Sequence, residues 1–204
     1  MELWYPKAVR VPGVAWKVHG KNTNKGAVLH SAVGFKAGLL DELRGPKDKG
    51  WHFSDLQDGT ILQHYPLDAL VYHCSNAFGN GQYIGIEHEG GLDPEDEPLT
   101  PAQLRASIDL VKWIAEQGKW LPSRTSPKTL FEHKEVALKY TQCPSGRIPW
   151  KEIMAEPLIS SPMTKTDAVK IWTKTAGSNP DGVKITPLPM TSNPARRVYE
   201  VELP

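Results

Sequence analysis

The side chains in this 204-residue chain that could hold a metal or move protons are seven histidines, two cysteines and 23 acidic groups. A hydrolytic zinc centre needs three protein ligands of nitrogen, sulfur or carboxylate type, with a fourth position open for the attacking water. His133 and Cys143 share a stretch punctuated by Pro144, Gly146 and Pro149, so one loop could carry both to a single point. Neither a Cys-x-x-Cys nor a His-Glu-x-x-His motif is present. Spacing alone therefore leaves the ligand set open, because an isolated histidine is more often a core or surface residue than a ligand.

Hydrophobic patterning supplies the elements that must position these groups. Gly26-Ala27-Val28-Leu29-His30-Ser31 reads as a short buried strand that runs out into polar residues, which puts His30 at a strand end. Trp51 to Asp55 and Thr60 to Tyr65 flank Gln57-Asp58-Gly59, and Asp-Gly between apolar runs signals a hairpin. Gln82 to Gly90 forms a further strand, stopped by Gly90-Gly91 and carrying Glu87 near its end. Thr100-Pro101-Ala102-Gln103 supplies a cap, a proline at the first helical position and a Gln that can reach back. Leu104, Ile108, Val111 and Ala115 then recur on one face, which predicts an amphipathic helix over 101–117. Leu39 to Leu43 adds a shorter helix before Gly45-Pro46, and Leu130-Phe131-Glu132-His133 is a loop or strand delivering His133 to the surface. The expected fold is α/β (α+β), a mixed central β-sheet flanked by helices.

Composition narrows the partners. Lys plus Arg number 24 against 23 Asp plus Glu, so net charge makes no case for nucleic acid or an anionic membrane as partner. Charge is uneven, however: residues 1–50 carry nine basic and four acidic groups, and residues 51–100 carry nine acidic and no basic ones, with a loop-rich acidic face expected around Asp93 to Glu97. Met1 to Arg10 contains no apolar run, so neither a signal peptide nor a membrane span is expected, and synthesis in a cytoplasm is. Cys74 and Cys143 are too few for a disulfide framework; a reduced compartment fits, with a 74–143 bridge as the minor alternative. From Glu156 to Thr166 the chain turns to Pro, Ser, Thr and Met, as a linker would. Beyond it, Val169 to Trp172 and Val198 to Leu203 alternate as strands do around an Asn179-Pro180-Asp181-Gly182 turn. The expected organisation is a catalytic domain over 1–155, a linker over 156–166 and a small β-prone extension over 167–204.

The ordered set Leu29-His30-Ser31, Trp51-His52-Phe53 with Asp58-Gly59-Thr60, Tyr72-His73-Cys74, Ile84-Gly85-Ile86-Glu87, and His133 through Cys143-Pro144 resembles the zinc-dependent N-acetylmuramoyl-L-alanine amidases. That family includes bacteriophage endolysins, cell-wall recycling amidases and the animal peptidoglycan recognition proteins. The resemblance covers about residues 25–150. Trp4-Tyr5-Pro6, His52-Phe53, Ile86 to Gly91 and Cys143-Pro144-Ser145-Gly146 are more narrowly similar to the amidase domains of phages that infect actinobacteria.

By position, the resemblance implies His30, His133 and Cys143 as ligands of one Zn²⁺, with Cys143 as thiolate, and leaves Cys74 a small buried thiol. It implies Glu87 as the general base. Glu89 is the rival, since it shares the strand face if the strand persists. Another branch of the family places a tyrosine where this chain has Trp51, which can donate a hydrogen bond to substrate but cannot accept a proton. Where phage and recycling enzymes often carry an oxyanion-steadying lysine this chain has Thr141, a hydroxyl donor, with Lys139 able to reach the same oxyanion. His73 matches a groove histidine that helps hold substrate, or else bonds a neighbouring loop.

The implied reaction is cleavage of the amide between N-acetylmuramic acid and the L-alanine of the peptidoglycan stem peptide, by a monomeric, bacteriolytic endolysin acting in host lysis. Two other readings fit the same motifs: a peptidoglycan-binding module without catalysis, and a cytoplasmic cell-wall recycling amidase. A three-ligand zinc hydrolase for some other amide or ester is a further rival, because the site does not name its substrate.

Overall fold

A computed structural model describes residues 2–91, 97–155, 184–187 and 199–202. The chain divides into two compact units, Met1–Leu158 and Ile159–Pro204. The first is built on a six-stranded sheet in the order β1-β4-β3-β5-β2-β6, with strands β1 (Val9–Arg10), β2 (Gly26–Ser31), β3 (Phe53–Asp55), β4 (Ile61–Gln63), β5 (Tyr83–His88) and β6 (Leu130–Glu132). Strands β3, β5, β2 and β6 run parallel; β4 turns back antiparallel to β3 and carries β1 parallel to itself. The sheet is mixed and flanked by helices, as the sequence predicts. Its parallel part brings four carboxyl strand ends to one edge, the place where open α/β sheets bind ligands.

Period-two alternation decides what faces where. Ala27 and Leu29 of β2, Phe53 of β3, Ile84 and Ile86 of β5 and Leu130 of β6 join one buried cluster with Leu110, Val111 and Ile114 of helix α3 (Pro101–Gly118). The alternate positions, including His30 and Glu87, project to the opposite face. There Leu39 and Leu43 of helix α1 (Lys36–Arg44) form a second cluster with Trp51, Leu62 and Val71. Each fully buried Ile or Leu contributes about 1.5–3 kcal/mol of transfer free energy, so a register slip that exchanged the two faces would cost far more than any single contact.

Helix α3 begins as expected, with Thr100 Oγ1 accepting from the Gln103 amide and Pro101 in the first turn. Its buried stripe is turned from the predicted one: Gln103, Ser107, Leu110, Val111, Ile114 and Ala115 are buried, and Leu104 and Ile108 only partly. Two buried polar residues bond atoms of the sheet, although Gln103 Oε1 keeps no partner among the described residues. Gln103 Nε2 donates to the Asp55 and Glu89 carbonyls instead of reaching back to its own cap, and Ser107 Oγ bonds His88 Nε2 at 2.8 Å. The hairpin forms around Gly59, whose φ of +83° suits glycine.

Helices α2 (Ala77–Gln82), α4 (His133–Val136) and α5 (Trp150–Ala155), with a 3-10 turn at Ala15–Lys17, complete the first unit's described elements. In the second unit, β7 (Lys184–Pro187) pairs antiparallel with β8 (Tyr199–Glu202). Strand β8 lies in the alternating stretch noted above. The 156–166 linker, the 169–172 strand and the 179–182 turn lie outside the described residues, as does the acidic stretch up to Asp96. No helix among the described residues is long and apolar enough to cross a membrane.

Candidate metal centre

Three parallel strands deliver the chemistry to one edge. His30 is the penultimate residue of β2 and lies in register with Glu87 of β5. Glu132 closes β6, so His133 follows at the strand's end as the first residue of α4. Cys143 arrives on the loop after α4. That loop is tied down by the Lys134 amide donating to the Cys143 carbonyl at 2.9 Å, and by the Ser31 amide 3.3 Å from the Cys143 sulfur. The ligand atoms of His30, His133 and Cys143 all lie within 4.8 Å of one another. This donor set and spacing could hold a tetrahedrally coordinated metal ion.

Hydrogen bonding fixes which nitrogens face inward. His73 Nε2 lies 3.1 Å from the Tyr83 carbonyl, an acceptor only, so this nitrogen carries the proton. His73 Nδ1 is then an acceptor, and His30 Nε2, 3.2 Å away, donates to it. The remaining His30 nitrogen, Nδ1, keeps its lone pair and faces Cys143 Sγ and Glu87 Oε1, each at 3.9 Å. His133 bonds the backbone of Cys74, while its Nε2 is buried without a partner. A buried unpartnered imidazole nitrogen beside a thiol and a second imidazole lone pair fits a bound divalent cation.

Burial holds these groups in their neutral forms. His30 is pushed well below the ordinary histidine range by burial and then by its histidine neighbours, and burial takes His73 down to about 3. The Cys143 thiol is pushed up to about 12 by burial and then by the Glu87 charge, so deprotonation would be coupled to binding a cation. Burial raises Glu87 to about 7, against a lowering by the Lys49 charge. A carboxyl poised near neutrality at 3.9 Å from a ligand nitrogen can take a proton from water and return it.

The other expected site residues take different parts. Glu89 is no rival to Glu87: its Oε1 accepts from the Lys36 amide at 2.6 Å and its Oε2 from the Gln57 amide at 2.8 Å, which caps α1 and fastens the hairpin. The β5 strand stops at His88, so the shared face that would make Glu89 a competitor ends first. His73 has both ring nitrogens engaged and orients His30, which leaves it no donor for substrate. Trp51 is 1% exposed and donates to Ser54 Oγ, giving the groove an apolar wall but no hydrogen bond. Thr141 Oγ1 accepts from the Cys143 amide at 3.2 Å, shaping the ligand loop. Lys139 is exposed and lines a neighbouring cavity with His73 and His133. Both cysteines are free, which removes the 74–143 bridge.

Arg147 was not readable from the sequence. It is 2% exposed and donates to Ser31 Oγ at 2.7 Å and to the Glu89 and Glu97 carbonyls, pinning the Cys143 loop to the ends of β2 and β5. A surface-type residue four positions past a ligand gives no sign of such burial.

Residues 9–146 match the family model of N-acetylmuramoyl-L-alanine amidase. The chain belongs to that amidase family. Among solved structures it is similar to the endolysin N-acetylmuramoyl-L-alanine amidase LysCS of Clostridium intestinale URNW, at 26% identity and a TM-score of 0.57, over 74% of this chain and 95% of that one. The N-acetylmuramoyl-L-alanine amidase LysC of the same organism gives 27% identity and a TM-score of 0.57, over 74% and 97%. A mutant endolysin from Bacillus subtilis, at 22% identity and a TM-score of 0.53 over 72% and 96%, shares the amidase fold. No curated protein matches the chain.

Proposed function

We propose that this amidase is a zinc-dependent endolysin that cleaves the amide between N-acetylmuramic acid and the L-alanine of the stem peptide in bacterial peptidoglycan. The observation that carries it is the convergence of His30 Nδ1, His133 Nε2 and Cys143 Sγ beside the Glu87 carboxyl, at the carboxyl edge of the family's sheet. When bound, Zn²⁺ acts as a Lewis acid toward the scissile carbonyl and makes water a nucleophile at neutral pH. His30, His133 and Cys143 hold the ion, and His73 holds His30 in the coordinating tautomer.

Glu87 takes a proton from the attacking water and returns it to the departing alanine nitrogen. Thr141 contributes by shaping the Cys143 loop, and Lys139 by lining the cavity of about 650 Å³ that runs past Tyr72, Ser75 and Asn76 and shares His133 with the centre. Trp51 walls the cavity of about 420 Å³ that holds Glu87 and Cys143. The complete ligand set favours hydrolysis over a binding module without catalysis, and the similarity to an endolysin amidase at 26% identity favours lysis over recycling. Residues 1–155 act as the catalytic domain, joined through 156–166 to the β-prone extension over 167–204.

Digestion of purified peptidoglycan followed by mass spectrometry tests the substrate. Release of free stem peptides with L-alanine at the amino end is the expected result. New reducing sugar ends without such peptides would contradict it.

A further inference from the structure

Hydrolysis of an amide puts negative charge on the carbonyl oxygen as water adds, and a preorganised cation facing that oxygen is worth more in a cleft than in bulk water. The two cavities at the centre share three lining residues, Lys49, His73 and His133. His73 and His133 are the orienting and ligating imidazoles. Lys49 is the only cation among the described residues that lines both cavities, between the Glu87 and Cys143 side and the Tyr72 and Asn76 side.

Its backbone is fixed. The Lys49 amide donates to the Lys47 carbonyl at 2.8 Å, and the next amide, Gly50, donates to Tyr72 O at 3.0 Å beside His73. The ammonium stands 5.7 Å from the Trp51 ring centroid and 3.6 Å from Glu42 Oε1. Glu42 is not a dedicated partner, because Lys47 Nζ approaches the same oxygen at 3.5 Å, so one carboxylate faces two ammonium groups. The side chain is 49% exposed. Its charge already bears on His30, Glu87, His133 and Cys143 together, in each case behind the larger effect of burial.

We propose that Lys49, delivered by the approach to β3, is the side chain that stabilises the oxyanion of the scissile amide. As the water oxygen bonds the lactyl carbon, the carbonyl π pair moves onto oxygen opposite the Lys49 ammonium, and one water proton goes to Glu87. On collapse the C–N bond breaks, its pair stays on the alanine nitrogen, and the Glu87 proton goes there. The second water proton leaves the new carboxylic acid for the amine. Lys49 keeps its protons throughout. This role rests on the amidase reading above.

The test compares zinc-loaded wild type, Lys49→Met and Lys49→Arg on N-acetylmuramoyl-L-alanyl-D-isoglutamine. It also measures binding of a phosphinate isostere of the scissile amide, whose anionic tetrahedral phosphorus imitates the oxyanion. The expected result for Lys49→Met is a kcat lower by about a hundredfold with KM within about twofold. Phosphinate affinity should fall in similar proportion, with zinc content and melting temperature unchanged. Lys49→Arg, keeping the charge, should recover a large part of both. A rise in KM with kcat preserved would overturn the proposal in favour of a substrate carboxylate contact, and unchanged kinetics would overturn it in favour of a solvated lysine. A wild type that leaves the muropeptide uncut overturns the amidase reading and this role with it; a wild type that cuts it beside an unimpaired Lys49→Met overturns this role alone.

Discussion

Gly85 lies in the middle of β5, and a methyl group there tests the link between sheet packing and the metal centre. A Cβ at this position would stand 2.7 Å from Cγ of His73, 2.9 Å from Nδ1 and 3.1 Å from Cβ. The ring cannot step aside without losing its bond to the Tyr83 carbonyl, its bond from His30 Nε2, or both. Overpacking of a filled interior costs about 1–3 kcal/mol. Losing one buried hydrogen bond adds about 1 kcal/mol. Gly85→Ala should therefore destabilise the protein by roughly 2–4 kcal/mol, a fall in Tm of about 4–16 °C at the usual 2–4 °C per kcal/mol for a chain of this size.

His73 sets the tautomer of His30, so zinc affinity should fall by about 10- to 100-fold as well. Thermal melts of the metal-free protein and competition against a chromophoric chelator read the two effects. In a His73→Ala background the same glycine substitution should cost much less, because the ring it strikes is gone. Equal cost in both backgrounds, or Gly85→Ala with wild-type Tm and zinc affinity, would refute the coupling of β5 to His30 through His73.

Glu87→Gln should keep zinc and fold while lowering kcat by about a hundredfold or more; Glu89→Ala should instead lower Tm by removing the acceptor of the Lys36 and Gln57 amides. Kinetics and melts of the pair separate base from cap. Asp55 gives the pH prediction. Its carboxyl is wholly buried, both oxygens lack partners, and burial, followed by the Asp58 and Glu89 charges, holds its pKa well above the carboxylate range. His88 Nε2, 3.6 Å away, is no counter-charge, because burial takes that imidazole down to about 4.

A raised carboxyl stabilises fully below its unfolded pKa and loses that contribution as pH rises through the folded value. Over each pH unit in which only the native carboxyl keeps its proton, about 1.4 kcal/mol is lost. Asp55→Asn removes this loss, so its Tm relative to wild type should climb by several degrees between pH 5 and pH 8. A constant difference would contradict the buried proton.

The sequence made much of the frame legible, and the reasons are local. Gly26 to Ser31 is apolar until its last two residues, so both strand and strand end could be read, and Thr100-Pro101 announced α3 by its cap. The face of α3 could not be read, because Gln103 and Ser107 look like solvent residues until the Asp55, Glu89 and His88 atoms that bond them are in place. The proposed ligand set is weak as spacing: residues 30 and 133 meet because β2 and β6 lie side by side in parallel, and the loop after α4 adds 143. His73, Glu89 and Arg147 act through partners distant in sequence, which a linear pattern does not reveal.

Cobalt titration of the metal-free protein tests most directly whether His30, His133 and Cys143 together hold one ion. A thiolate-to-cobalt charge-transfer band should grow to saturation at about one equivalent, as expected of a single mixed nitrogen and sulfur site. It should persist in Cys74→Ser and vanish in Cys143→Ser. A titration without a thiolate band, or a band that survives Cys143→Ser, would contradict the centre.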